Sequence, residues 1–421
     1  VEGQIVKRPE KMINAKIETG QVELSAESLN ILSKSHTLPF SIESNGREIN
    51  EEIRMKYRYL DLRRERMKQN LILPHELVKF IRDFLSAEGF IEVETPILTK
   101  STPEGSRDFV VPSRLQPGKF YALPQSPQQY KQLLMVGGLE KYFQIARALR
   151  DEDPRGDRQV EHTQLDVEIS FVEREDVMEL IERLYIKLVQ TLFPAKKIQQ
   201  IPFPRVTYKE AMEKYNSDKP DLRKDKLNPN LLAFCWIVDF PFFEKTEEGV
   251  PALRSSEGAK KWTFTHNPFS APKHESIKDF MSGNNIKDII TTQYDLVLNG
   301  SEIGGGSIRN NMPEALEKTF EIMGYDKDEI KEKFGYMVQA FKYGAPPHGG
   351  IACGIDRFVS ILKNEPNIRE VIAFPKTGDG RDLMMKAPSE IYPKQLKELN
   401  IRISKEKSAR GKPKSKKSKS K

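Results

Sequence analysis

The chain has little cysteine: only Cys235 and Cys353 in 421 residues. Two thiols this far apart offer neither a disulfide framework nor the close spacing of a zinc site. No run of ~18 apolar residues occurs, which argues against a membrane-spanning helix. The most apolar stretch, Leu231 to Phe243, is broken by Asp239 and Pro241 and reads as a buried strand. No secretory signal and no internal repeat is visible. These absences point to a reduced, cytoplasmic compartment. The body of the chain also lacks excess basic charge, although the formal net charge is +7. Ser404 to Lys421 carry eight lysines, Arg410 and one acid, Glu406, a balance of +8 that leaves −1 for all that precedes. This tail, residues 404–421, has almost nothing apolar to bury and is expected to be disordered. It reads either as a salt-sensitive RNA tether or as a solvated terminus.

With 38% hydrophobic and 31% charged residues, the rest fits a globular protein of two or more domains. Residues 1–40 alternate short β patterns around a Thr19-Gly20 turn and look like the end of a small barrel whose start is missing. Residues 41–70 are polar and charged, reading as a hinge that leads into a helical connection. Its arginines suit either an RNA-facing surface or an ion-paired helix. From Leu71 to Leu85 apolar residues recur at helical spacing, and Gly89 ends that helix. Strand patterns follow at Phe90–Pro96, 119–123, 142–145, 164–171, 235–240, 294–299, 302–308 and 371–373. Helical patterns fall at 126–136, 175–192, 313–323, 327–341 and 356–362. Many strands succeed one another without an intervening helix. This predicts an α+β fold, a largely antiparallel sheet flanked by helices, over residues 71–403.

Three segments combine arginine with glycine or acid. Gly349 to Arg357 is a glycine-rich strand-to-helix junction ending in a guanidinium suited to phosphate oxygens. Phe143 to Glu152 places Arg150 and Glu152 on one face of a strand end, ready to neutralise charge on a phosphate or simply to pair with each other. Ser301 to Arg309 follows an Asn299-Gly300 hairpin turn, which brings Asp295 and Glu302 to one side of the sheet. Mg²⁺ favours one or two carboxylates with phosphate oxygens. The triple glycine beside Glu302 would let a nucleotide lie on bare backbone. Gln128 and Lys131 share a helix face after a Ser126-Pro127 start. Together the segments suggest one site for a polyphosphate with a metal ion.

In this order the segments resemble the three motifs of class II aminoacyl-tRNA synthetases: Gly89 through Leu98, Phe143 through Glu168, and Gly349 through Arg357. With Ser101-Thr102-Pro103-Glu104-Gly105, Gln125 to Gln128 and Gly304 to Arg309, the chain is similar to bacterial-type aspartyl-tRNA synthetases from Val1 to about Arg402. The resemblance implies that residues 1–40 are the remnant of an anticodon-binding OB-type barrel. It implies that Lys131 and Arg309 hold the aspartate side-chain carboxylate, assisted by Gln128. Glu104, Gln164 and Asp166 would surround the amino group, and His266 would line the pocket. Arg150 would bind the substrate carboxylate and the α-phosphate. Asp151, Glu152, Gln159, Glu302, Gly354, Ile355, Asp356 and Arg357 would bind ATP, with Arg357 on the γ-phosphate and His162 stacked on adenine. Asp295 and Glu302 would hold Mg²⁺. Arg150, Glu302 and Arg357 are the catalytic candidates.

L-aspartate, ATP and tRNA(Asp) would be the substrates, and a homodimer through the first motif the assembly. Four features depart from the family: most of the N-terminal barrel is absent, and a large domain usual after Ser217 to Arg223 is replaced by Lys224 to Asn230. His162 stands where phenylalanine is frequent, an imidazole that can stack with less surface and could titrate, and Asn267 replaces a second histidine. The Thr265-His266-Asn267-Pro268-Phe269 form resembles members that also charge tRNA(Asn). Rival readings are an asparaginyl-tRNA synthetase, an ammonia-dependent asparagine synthetase, or a synthetase-like RNA-binding protein without catalysis.

Overall fold

A computed structural model describes residues 1–101, 104–245 and 262–404. The tail beyond Ser404, and Thr102 and Pro103 of the segment before Glu104, lie outside the described residues. The chain divides into two compact units, Val1–Ser44 and Asn45–Lys421. The first contains one antiparallel pair, Glu2–Lys7 with Val22–Ser28, in which Ile5 faces Leu24. Its strands are almost wholly exposed, as two strands alone cannot enclose a core.

The second unit is built on eight strands: β1 (Ile91–Glu92), β2 (Lys141–Leu149), β3 (Glu161–Ser170), β4 (Arg205–Thr207), β5 (Phe234–Val238), β6 (Tyr294–Leu298), β7 (Ser301–Ile308) and β8 (His348–Gly354). Their order in the sheet is β1-β2-β3-β8-β7-β6-β5-β4. The six inner strands are antiparallel, and only the edge strands β1 and β4 run parallel to their neighbours. One face is covered by helices Glu65–Ala87, Arg174–Leu192 and Ile355–Leu362, which bury Leu77, Leu85, Ile181, Val189 and Val359 against Phe143, Val167, Trp236 and Leu296. A second apolar cluster joins helices Pro313–Ile322 and Lys327–Lys342, where Phe320 stacks on Phe334 at 3.7 Å. Both thiols are buried, and burial pushes each up to about 12, so neither is reactive.

The charged segment read as a hinge is helical at Glu51–Lys56 and Arg58–Asp61, and it is ion-paired in the interior. Arg54, Arg58 and Arg64 all reach Asp61, while Arg54 and Arg66 reach Glu370. The strand expected at 371–373 is absent. The Arg58 guanidinium takes the carbonyls of Arg369, Ile372 and Ala373, so part of the acceptor set a ladder needs is already committed. The apolar stretch 231–243 also breaks up, into Leu231–Leu232, β5 and the start of Phe243–Lys245. The break at Asp239, which sits at φ 63°, ends β5.

Candidate active site

Strand β3 shows how the site is made. Leu165, Val167 and Ile169 face the core, so the alternate residues Gln164, Asp166 and Glu168 share the opposite face. That face forms the floor of a cavity of about 450 Å³. Asp295 reaches the same face because Tyr294, Leu296 and Leu298 of β6 take the core side. The Asn299-Gly300 turn has φ 50° and 84°, both in the left-handed region that a two-residue hairpin requires.

Strand β7 holds a feature that residue spacing did not reveal. Val297 pairs with Glu302, but Leu296 pairs with Gly304, so Ile303 is an extra residue in a β-bulge. The bulge sends Ile303 to the core and resets the alternation, placing Gly305, Ser307 and Arg309 on the cavity side. Without it Arg309 would point into the apolar layer. The triple glycine also has a packing reason. A Cβ on Gly304 would lie 2.8 Å from the Cys353 sulfur, and one on Gly306 would lie 2.2 Å from the Gly350 carbonyl. Gly304 and Gly306 thus let strands close, a Cβ on Gly305 would instead face the Asp295 carboxylate, and all three glycines line the cavity.

All the residues expected around aspartate line this cavity: Glu104, Gln128, Lys131, Arg150, Gln164, Asp166, His266 and Arg309. Helix Gln128–Val136 carries Lys131, whose ammonium lies 3.0 Å from Asp166 and 3.3 Å from Glu168. Arg309 grips both Glu168 oxygens, at 2.9 and 3.1 Å, and donates to the Ser307 hydroxyl. Burial alone would raise the Glu168 pKa, but Arg309 and Lys131 hold it down at about 2. Gln164 donates to Asp166 at 2.6 Å, Gln128 donates to Gln132, and Glu104 accepts from Ser126 and Gln129. Behind them burial lowers the His348 pKa; its Nδ1 faces the Pro346 carbonyl and its Nε2 faces Gln132. Glu168, Ser307 and His348 had no assigned role. The polar alternation of β3 was the one available signal, and it identified Glu168 only as a residue of the returning strand.

At the other end of the cavity stand Arg150, Glu152, Gln159, His162, Asp295, Glu302, Gly354, Asp356 and Arg357. Arg150 does not pair with Glu152; it donates to the Gln125 carbonyl at 3.3 Å, while Glu152 takes Ser106 and Arg158. Arg357 donates to the Glu302 and Asp157 carbonyls. Burial and the neighbouring Glu302 carboxylate push Asp295 well above the ordinary carboxylate range. Burial would raise Glu302 too, but Lys219 and Arg357 hold it below. His266 sits 3.9 Å from Asp295, edge-on to Phe240.

Four of the residues expected at the ATP end take distinct surroundings. Asp151 and Ile355 do not line the cavity: Asp151 is turned to Arg107, 3.6 Å away, and Ile355 belongs to the apolar core. Asp356 does line it, but its carboxylate accepts the Thr163 backbone N–H at 2.8 Å and so ties helix Ile355–Leu362 to β3. His162 does not titrate near neutrality, because burial, Arg150 and Arg357 push it down to about 3.

The arrangement defines a class: an antiparallel sheet whose polar face carries an arginine-rich, carboxylate-bearing cleft and whose other face carries helices. The family described as class II tRNA synthetases (D, K and N) matches residues 50–378. The aspartate–tRNA(Asp/Asn) ligases of Rubrobacter xylanophilus and Dictyoglomus turgidum are each 41% identical, across 96% of this chain and 85% and 86% of their own lengths. The aspartate–tRNA ligase of Staphylococcus carnosus is 37% identical across 96% of this chain and 87% of its own length. The Rubrobacter alignment runs over 526 residues against the 421 of this chain, so the relative has sequence inside the matched stretch that this chain lacks. Asparaginyl-tRNA synthetase from Pyrococcus horikoshii, complexed with asparaginyl-adenylate, superposes with a TM-score of 0.65 at 20% identity, over 89% of this chain and 80% of that one. The Entamoeba histolytica asparaginyl-tRNA synthetase gives 0.66 at 21%, over 89% and 82%, a likeness of fold. The chain therefore belongs to the class II tRNA synthetases, within their aspartate–tRNA ligase family.

Proposed function

We propose that the cavity activates L-aspartate with ATP and transfers it to the 3′ end of tRNA(Asp). The observation that carries this reading is the pairing of two environments in one cleft. One end has the buried cations Lys131 and Arg309; the other has Arg150 and Arg357 beside the Asp295–Glu302 carboxylates. An aspartate side chain brings a carboxylate to the first end. Both cations are already paired with Asp166 and Glu168, so selectivity rests on their remaining N–H donors: a carboxylate accepts at both oxygens, whereas an amide presents one acceptor and one donor, which disfavours asparagine. Gln164, Asp166 and Glu104 offer acceptors for the amino group.

In the first step an oxygen of the aspartate α-carboxylate attacks the α-phosphorus of ATP. The bond to the β-phosphate breaks, and pyrophosphate leaves with the electron pair. In the second, the tRNA terminal hydroxyl attacks the acyl carbonyl and AMP departs. No protein nucleophile is required; Arg150 and Arg357 orient the phosphates and neutralise charge as it develops. His162, held neutral, offers an imidazole face to adenine.

Asp295 and Glu302 fit a Mg²⁺ ion that takes its remaining ligands from phosphate and water: both are oxygen donors on one hairpin, and their mutual repulsion is what a cation relieves. When bound, that ion supplies Lewis-acid neutralisation of the phosphate oxygens. A homodimer through the segment Gly89 to Leu98 and a cytoplasmic setting belong to the same reading. So does charging of tRNA(Asn), favoured by Asn267 after His266. The deciding experiment is ATP–pyrophosphate exchange with aspartate, with asparagine as control and Arg357→Ala as blank. Exchange with aspartate alone is expected; exchange with asparagine, or none with either, refutes the reading. Aspartylation of purified tRNA(Asn) tests the wider tRNA range.

A further inference from the structure

Lys219 has been given no role so far, yet its ammonium lies 2.9 Å from the Glu302 carboxylate and lines the phosphate end of the cavity. It arrives from outside the three motif segments, on the polar stretch Ser217 to Arg223. That stretch does not need the ion pair to hold its shape. The Ser217 hydroxyl accepts the Lys219 backbone N–H at 3.0 Å, and Asp221 clamps the Arg223 guanidinium at 2.8 Å. Gln199 brackets the following turn, donating to the Leu222 carbonyl and accepting the Lys224 N–H. Pro220 is buried. A loop fastened by its own bonds thus delivers one flexible cation to a carboxylate in the cleft.

The two cations beside Glu302 differ in freedom. Arg357 is fixed by the Glu302 and Asp157 carbonyls. Lys219 holds only a carboxylate oxygen, through a compact ammonium on a four-carbon stem that can change partners. Its side chain is 34% exposed, so it faces solvent-filled space in which a ligand can meet it. Glu302 stands beside Asp295, and the Lys219 ammonium offsets the repulsion between the two carboxylates.

We propose that Lys219 is a further catalytic residue, the counter-ion of Glu302 in the nucleotide-free cleft and a ligand of the departing pyrophosphate once ATP is bound. The proposal rests on the adenylation reading above. Lys219 leaves Glu302 to the metal ion that accompanies the nucleotide and donates hydrogen bonds to the oxygens of the β- and γ-phosphates. Bond making and breaking are unchanged: the α-carboxylate oxygen joins the α-phosphorus, the bridging oxygen leaves with its electrons, and Lys219 keeps its proton. Two consequences follow. Pyrophosphate binding depends on Lys219 while aspartate binding does not. A metal ion also competes with Lys219 for the carboxylate pair when no nucleotide is present.

The test uses the full chain and Lys219→Met beside wild type. Loss of a charge-assisted hydrogen bond is expected to raise KM for pyrophosphate in the exchange reaction by about ten- to a hundredfold. KM for aspartate should stay within about twofold, and Lys219→Arg should recover part of the loss. Independently of turnover, Mn²⁺ titrated without nucleotide and followed by electron paramagnetic resonance should bind Lys219→Met about tenfold more tightly than wild type. Unchanged pyrophosphate KM with unchanged Mn²⁺ affinity would overturn the proposal and leave Lys219 a structural pair. A melting curve on Lys219→Gln, which keeps a polar tip, separates misfolding from a site effect. If wild type shows no aspartate-dependent exchange, the adenylation reading fails, while the Mn²⁺ comparison still decides the counter-ion role.

Discussion

Lys131, Arg309, Asp166 and Glu168 form one buried ionic set, two cations on two anions. Truncating one member leaves the others charged in a region closed to water, which costs about 3–5 kcal/mol where a buried pair is broken. Lys131→Met is therefore expected to lower stability in denaturant titrations by that amount and to abolish aspartate-dependent exchange. A variant that melts like wild type would show that Asp166 and Glu168 find other partners. His162 makes the opposite kind of prediction. Its folded pKa of about 3 keeps the ring neutral through the working range. The pH profile of exchange for His162→Phe should then follow that of wild type from about pH 5.5 to about pH 8, where an ordinary imidazole would change charge. A limb near pH 6.5 in wild type that the variant lacks would contradict this.

At the scale of elements, β7 sets side by side glycines that pack strands together and one that faces a carboxylate of the cleft. Gly306→Ala places a Cβ 2.2 Å from the Gly350 carbonyl and 2.7 Å from the Tyr294 ring, so β7 and β8 cannot close. Expression of insoluble or unfolded protein is expected. Gly305→Ala meets the Asp295 carboxylate at 2.8 Å, on the open side of the sheet. That variant should fold, with a near-native circular dichroism spectrum, and lose exchange activity because Asp295 is displaced. Equal folding of both variants would refute the assignment of the two faces. The bulge at Ile303 makes this difference, since one extra residue moves every later side chain of β7 to the other face.

For the whole molecule, Glu370 links the helical segments at 51–61 to the turn after helix Ile355–Leu362. Burial would raise its pKa, yet Arg54 and Arg66 hold it down to about 2, against an ordinary value of 4.5. A depressed carboxylate stabilises the fold fully above the unfolded value and ceases to do so as pH falls through the folded one. Glu370 and Glu168, both at about 2, should thus make wild type lose stability from about pH 4.5 down to about pH 2. Glu370→Gln is expected to be less stable at pH 7 and to show a shallower acid dependence in chemical unfolding. The same slope in both proteins would remove Glu370 from that role. The turn after Asn367 also touches the segment following Arg150: the Ile368 N–H donates to Gly156 and the Arg369 guanidinium to the Arg155 carbonyl. The ionic cluster is therefore joined to a wall of the phosphate end.

Much was legible in the chain alone. Strand patterns marked β3 and β6, Asn299-Gly300 marked the hairpin, and helical patterns marked the helices over 126–136, 175–192 and 327–341, because each is a local consequence of backbone geometry and turn chemistry. The order of the motifs indicated the family and most residues of the cleft. Tertiary structure decided what depends on partners distant in sequence: that Glu168 grips Arg309, that Arg58 consumes the carbonyls of 369–373, that Asp356 fastens Thr163, and that Lys219 stands against Glu302. A one-residue bulge decided which side of the sheet Arg309 would take. Such features arise from register, burial and the need of every buried charge for a partner, and no local pattern encodes which partner it will be.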